Sequence, residues 1–230
     1  MRLGEPVTPS NAFELRLDHG LCVGVHLPEG PDAIDALAAA TLCAEERAFA
    51  LAMSVARRRS WIGGRVALHQ ALERAGVAAA AIFADDRGAP ALPAGIVGSI
   101  SHKEDLAVAL VAIDASARVG VDIEADGARP RDIASIVLAE DEQTELASLT
   151  SSERAGEVLL RFSAKEAIYK ALDPFVRRYV AFREVSVSPR PDGSAEVRAR
   201  LGPHAPALSI ESRWTRRQGF VLTTARVRSF

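Results

Sequence analysis

Apolar and polar positions along the chain fall into segments of different period. Leu21 to Leu27 is a short apolar run behind the turn residues Asp18 and Gly20, which predicts a strand. From Asp32 to about Ala56 the chain is rich in Ala, Leu and Glu with no internal Gly or Pro, which predicts one or two helices. Ile62 to Ala75, ended by Gly76, predicts another helix. A loop over 85–98, carrying Pro90 and Pro93, separates it from the apolar runs Leu106 to Ile113 and Arg118 to Glu124, both read as strands. A turn at Asp126 to Arg131 leads into helical segments at Asp132 to Leu149 and Ser152 to Leu172. The remainder alternates with period two over 183–188, 195–201, 208–214 and 220–227, as an antiparallel sheet does.

Strand, helices, strands, helices, strands is the order of two α+β lobes of similar size, 1–115 and 116–230, meeting near residues 110 to 120. No sequence repeat is visible, although two such lobes leave room for structural pseudo-symmetry. The chain has 230 residues, 48% hydrophobic and 25% charged, which excludes a collagenous or disordered protein. Lys plus Arg is 28 and Asp plus Glu is 30, a net charge of −2 that gives no nucleic-acid or polybasic-membrane signature. The apolar run Leu106 to Ile113 falls far short of the ~20 residues needed to span a bilayer. Residues 1–10 lack the basic start and apolar run of a signal peptide. With only Cys22 and Cys43 and no CxxC, the chain reads as cytoplasmic with reduced thiols.

Four stretches carry candidate chemistry. In Gly120 to Glu124 (GVDIE), strand alternation sends Val119, Val121 and Ile123 one way and both Asp122 and Glu124 the other. Two neighbouring carboxylates repel unless water, a base or a cation lies between them, and oxygen ligands favour a hard ion such as Mg²⁺. An exposed strand end is the plainer reading. In Phe162 to Lys170 (FSAKEAIYK), Leu159, Phe162, Glu166 and Tyr169 share a helical stripe. A carboxylate there must be paired or ligate something: Lys170, one turn on, suits an ion pair, and Lys165 adjoins it. A salt bridge at the core edge explains it equally well.

Gly98 to His102 (GSISH) places a hydroxyl and an imidazole in a glycine-initiated loop suited to phosphate, without a G-x-S-x-G elbow. Arg57, Arg58 and Arg59 precede Gly63-Gly64-Arg65, read as a glycine-opened helix start that suits a polyanion, against the commoner solvated basic face. Arg213, Arg216 and Arg217 have the same ambiguity and are read as structural.

Together these stretches resemble the 4′-phosphopantetheinyl transferase superfamily. Its G-[IV]-D-[IV]-E strand stands here as Gly120 to Glu124, and its [WF]-[ST]-x-K-E-[AS]-x-x-K helix as Phe162 to Lys170. Ser99 to His102, Gly64-Arg65 and the Gly-x-Pro loop at Gly88 to Pro90 also match, so the likeness runs from about Glu45 to Lys170. The length is similar to that of the pseudo-dimeric, monomeric class. Arg58, the G-S-I-S-H form and the run Ala44 to Arg47 are most similar to the enterobactin-synthetase component D branch, which activates siderophore, peptide or polyketide synthases.

The resemblance implies a pseudo-two-fold α+β fold with the active site at the lobe junction. It implies transfer of the phosphopantetheine arm of coenzyme A to a serine of an apo acyl, peptidyl or aryl carrier protein, releasing adenosine 3′,5′-bisphosphate. Asp122, Glu124 and Glu166 would hold Mg²⁺ (or Mn²⁺) against the pyrophosphate, with Asp122 also touching coenzyme A. Glu166, directly or through a metal-bound water, would be the general base, and Lys170 would stabilise charge on the bridging and leaving oxygens. Lys165 would lie nearer the periphery of the pyrophosphate. Ser101 and His102 would touch phosphates, and Arg58 and Arg65 would surround the 3′-phosphate, with Arg47 also in reach. Arg87 would stand in for the basic residue that the family often has where this loop has Ala89. Acidic carriers would dock on a basic and apolar surface that includes the 126–155 segment. The competing readings are another Mg²⁺-dependent phosphotransfer enzyme, a nuclease included, and a non-catalytic carrier or coenzyme A binding module.

Overall fold

The computed structural model describes residues 10–127, 133–203 and 205–230. By its internal contacts the chain separates into two units, one ending at Ile113 and the other beginning at Asp114. Both are α+β: each wraps one long helix across an antiparallel sheet.

The first unit contains β1 (Ser10–Leu17), β2 (Gly20–His26), α1 (Pro31–Thr41), α2 (Ala44–Leu51), α3 (Val55–Arg74), β3 (Ile96–Lys103) and β4 (Leu106–Ile113), with strand order β1-β2-β4-β3. The helical stretch after residue 31 divides because Leu42 and Cys43 are extended. β1 is not predicted by the sequence pattern. It is an edge strand whose one buried side chain, Phe13, fits over Gly24, where a Cβ would overlap its ring.

Two expectations fail in this unit. Gly63 and Gly64 do not open a helix; they sit in the middle of α3, which starts at Val55. A Cβ on Gly63 would come within 2.6 Å of Leu27 Cδ2, and one on Gly64 within 2.7 Å of Ile100 Cγ2. The glycines therefore let α3 lie close on the sheet, where Ile62, Val66 and Leu68 join Val23, Val25 and Ala107 in the core. Gly98 to His102 is likewise not a loop but the middle of β3.

The second unit contains β5 (Ala117–Ala125), α4 (Ala134–Val137), α5 (Glu140–Glu145), α6 (Ser151–Val176), a 3-10 turn (Phe182–Glu184), β6 (Val185–Pro189), β7 (Ser194–Ala199), β8 (Leu208–Arg217) and β9 (Phe220–Ser229). Strand order is β5-β9-β8-β7-β6, so the first strand of the unit pairs with its last, Asp122 opposite Thr223. The expected helix up to Leu149 is two short ones, because Leu138 and Ala139 are extended. Of the 126–131 turn, Asp126 and Gly127 are described; residues 128–132, and with them part of the expected carrier-docking segment, lie outside the described residues, as does His204 of the GPHAP turn. The Thr150 side chain caps α6 while Glu153 reaches back to the Thr150 backbone. Gln218 and Gly219, both at positive φ, form the tight β8–β9 turn. Among the described residues no helix is long and apolar enough to cross a membrane.

Candidate functional site

The second unit's site exists because β5 has a glycine where α6 crosses it. A Cβ on Gly120 would overlap the Ala167 carbonyl oxygen, so only glycine lets helix and strand approach this closely. Asp122, two residues on and on the same face of the strand, is thereby pushed against α6 and buried.

Its two oxygens have different partners. Lys170 Nζ donates to Oδ1 at 3.0 Å and to the Val121 carbonyl at 2.8 Å. Ser163 Oγ donates to Oδ2 at 2.9 Å and lies 2.9 Å from Thr223 Oγ1, which also contacts the Ser163 carbonyl at 2.8 Å. The ion pair expected between Glu166 and Lys170 is therefore made by Lys170 with Asp122.

Glu166 is half-buried one turn before Lys170. Burial pushes its carboxyl above the usual range, and the negative charges of Asp122 and then Glu124 push the same way; Lys170 pulls against them. The acidic trio and Lys170 thus share one local field. Beside them Phe162 and Tyr169 both pack on Phe182, with ring centroids 5.6 and 5.3 Å apart, forming an apolar wall.

The donor chemistry fits a hard divalent cation: all ligands are oxygens, and their mutual repulsion is what a cation would relieve. A finished cage is not formed, since among the described residues no three acidic, His or Cys side chains converge closely enough to hold an ion. Asp122 instead spends its oxygens on Lys170 and Ser163.

Lys165 corrects the sequence reading. It is not at the edge of a phosphate site but fully buried on another face of α6. Its ammonium donates to the Val137 carbonyl at 2.7 Å, Glu142 Oε2 at 2.5 Å and the Phe182 carbonyl at 3.0 Å, which uses all three protons. Glu142 is completed by the Ala139 and Val187 amides at 2.7 and 2.8 Å. Burial pulls the Lys165 ammonium down, opposed by Glu142. Nothing of Lys165 remains for coenzyme A.

In the first unit, Arg58 donates to Asp35 at 3.0 Å and to the Leu51 and Met53 carbonyls. Arg65, two helical turns on, is buried, with Nε on the Ile82 carbonyl at 2.7 Å and its guanidinium 4.8 Å over the Trp61 ring. Neither is the solvated arginine that a basic run suggests. Arg47 donates to the Ala39 carbonyl at 3.1 Å. Ser101 is buried and His102 exposed, because adjacent strand residues face opposite ways; they do not work as a hydroxyl–imidazole pair. Arg87 is exposed in a turn held by its amide on Asp85 Oδ1 at 2.8 Å. Arg216 is paired with Asp126 at 3.3 Å and lies over the Trp214 ring, which agrees with a structural reading.

Two polar residues of the acidic site escape sequence reasoning. Ser163 stands inside the helical motif without a role, and Thr223 lies far along the chain. The only signal for Thr223 is a pair of threonines in an otherwise apolar stretch, Phe220 to Ala225.

Residues 44–112 match the 4′-phosphopantetheinyl transferase N-terminal domain, and residues 118–225 match the 4′-phosphopantetheinyl transferase superfamily. The chain is 34% identical over 181 residues to the 4′-phosphopantetheinyl transferase Npt of Nocardia iowensis, covering 73% of this chain and 81% of that protein. Over 191 residues it is 30% identical to the 4′-phosphopantetheinyl transferase PptT of Mycobacterium tuberculosis, covering 77% and 83%. Enterobactin synthase component D of Salmonella typhi is 35% identical over 117 residues, 50% of this chain and 48% of that protein.

Proposed function

This chain belongs to the 4′-phosphopantetheinyl transferase superfamily and transfers phosphopantetheine from coenzyme A to carrier proteins, and we propose that the Asp122, Glu124, Glu166 and Lys170 cluster is where it does so. The observation that carries the assignment is the charge arrangement. A half-buried carboxylate is driven toward its neutral form by burial and then by neighbouring acids, with one ammonium already seated on Asp122.

The carrier serine oxygen forms a new bond to the phosphorus that bears the pantetheine arm. The bond from that phosphorus to the bridging oxygen breaks, and adenosine 3′,5′-bisphosphate leaves with the electron pair. Glu166, directly or through water, takes the serine proton; its raised carboxyl makes it a stronger base once ionised than a solvated glutamate. Lys170, with two protons on the Val121 carbonyl and Asp122, has its third for the bridging or leaving oxygen as charge develops there. Asp122, Glu124 and Glu166 would hold Mg²⁺ or Mn²⁺, whose charge would offset that of the pyrophosphate. Positioning and electrostatics account for most of the catalysis in such a transfer.

For coenzyme A itself, His102 and Arg87 are proposed as phosphate contacts, supported by their exposure. Ser101, buried, would take part through its strand backbone. Arg58 and Arg65 share one stripe of α3 and would add positive potential for the 3′-phosphate. Acyl, peptidyl or aryl carriers are the proposed acceptors, docking beside the exposed Ile136 and the neighbouring Arg183, which donates to the Ser135 carbonyl. A monomer in the cytoplasm is the proposed working form.

Intact-protein mass spectrometry of apo acyl, peptidyl and aryl carriers, incubated with the protein, coenzyme A and Mg²⁺, tests the site. One added phosphopantetheine arm, lost with EDTA and with Glu166→Ala, is the expected result. Transfer that survives both would overturn the assignment of this cluster.

A further inference from the structure

Thr223 stands on β9, outside both motif stretches, and its side chain is fully buried. The strand register puts it directly across from Asp122, on the face that meets α6. There it reaches Ser163, also fully buried, and Ser163 reaches Asp122.

Proton counting gives this chain of three residues a direction. Each hydroxyl has one proton, and an ionised carboxylate only accepts. Ser163 must therefore spend its proton on Asp122 Oδ2. Thr223 then donates toward Ser163, shared between its hydroxyl at 2.9 Å and its carbonyl at 2.8 Å. We propose that Ser163 and Thr223 are positioning residues of the transferase: a buried hydroxyl pair that fixes the rotation of the Asp122 carboxylate.

With Oδ2 tied to a donor that is itself held by Thr223, whose hydroxyl also bonds the Ser163 carbonyl of the helix, the carboxylate is restrained from turning about its Cβ–Cγ bond. Oδ1 is then held toward Lys170, and toward any cation that the acidic trio takes up. The inference rests on the metal reading proposed above. It adds that the aim of Asp122 is set by β9, the last strand of the chain, rather than by either motif alone. Partners of this kind behind metal ligands typically change affinity or activity by about 10–100-fold when removed.

The test is Mn²⁺ binding in the presence of coenzyme A without carrier, read by electron paramagnetic resonance, beside kcat and KM and a thermal melt for each variant. Ser163→Ala is expected to weaken Mn²⁺ binding by about 10–100-fold, and Thr223→Val, which keeps the shape and removes the hydroxyl, by roughly tenfold. Thr223→Ser, which keeps the hydroxyl, should restore binding to within about threefold of wild type. kcat should fall with Mn²⁺ affinity while KM for the carrier stays put. Wild-type Mn²⁺ affinity in a folded Thr223→Val protein, or equal loss in Thr223→Val and Thr223→Ser, overturns the positioning role alone. An unmodified protein that binds no Mn²⁺, or whose binding survives Asp122→Asn, overturns the metal reading and this inference with it.

Discussion

Lys165 and Lys170 stand five residues apart on α6, each against a carboxylate, and they do opposite work. Lys165 is fully buried and has its three protons on three fixed acceptors, while Glu142 is completed by two backbone amides. Such a node is closed: it fastens α5, the 3-10 turn and β6 to the helix and has no valence left for a ligand. Lys170 is about one-third exposed, at 31%, and shares its aspartate with a hydroxyl and with the field of two further acids. That site is open, because part of its charge balance is left to whatever binds. The lesson is that charge and spacing along a helix do not separate scaffold from chemistry; saturation of the hydrogen bonds does.

The largest effect should come from breaking the closed pair. Lys165→Met leaves the buried Glu142 with Arg161, 4.0 Å away, in place of its directly bonded ammonium and should cost about 3–5 kcal/mol, a fall in melting temperature on the order of 10 °C. An unchanged melting temperature would show that the node is not structural. Next, Lys170→Ala should lower kcat by about 10²–10³-fold, as removal of one preorganised donor does, with the melting temperature moving by only about 2 °C. If instead both lysines chiefly lowered the melting temperature, the contrast between them would be lost.

The smallest expected effect is also the most discriminating. Glu166 has a folded-state carboxyl raised above its unfolded value. The stability linked to its proton is therefore present below the unfolded value, about pH 4.3, and lost as pH rises through the folded one. Glu166→Gln should accordingly abolish transfer yet melt higher than the wild-type protein at about pH 8 without metal, the gap closing toward about pH 4. Differential scanning fluorimetry across that range checks it, and a variant that melts lower at every pH would contradict the crowding of acids.

Much of the second unit was legible in the sequence because its signals are local. Strand alternation alone put Asp122 and Glu124 on one face, and the period-two strands near the C-terminus appear as the pattern indicates. The first unit was less legible where packing overrode local rules. Gly63-Gly64 looks like a helix start and is a flat packing face, and GSISH looks like a glycine loop and is a strand. A glycine carries no side chain to report whether its purpose is a turn or a close approach, so the two cases read alike.

By itself, then, the sequence singled out the residues proposed to carry the chemistry: the acids of GVDIE, Glu166 and Lys170, whose identities and periods are properties of one strand and one helix. Only the tertiary structure decided which lysine is saturated in the core and which lies half-buried beside the acids. The same holds for Thr223: a residue far along the chain stands behind Asp122 because β5 pairs with the final strand. Strand partners and saturated buried charges depend on contacts between distant segments, and no local pattern encodes which segments will meet.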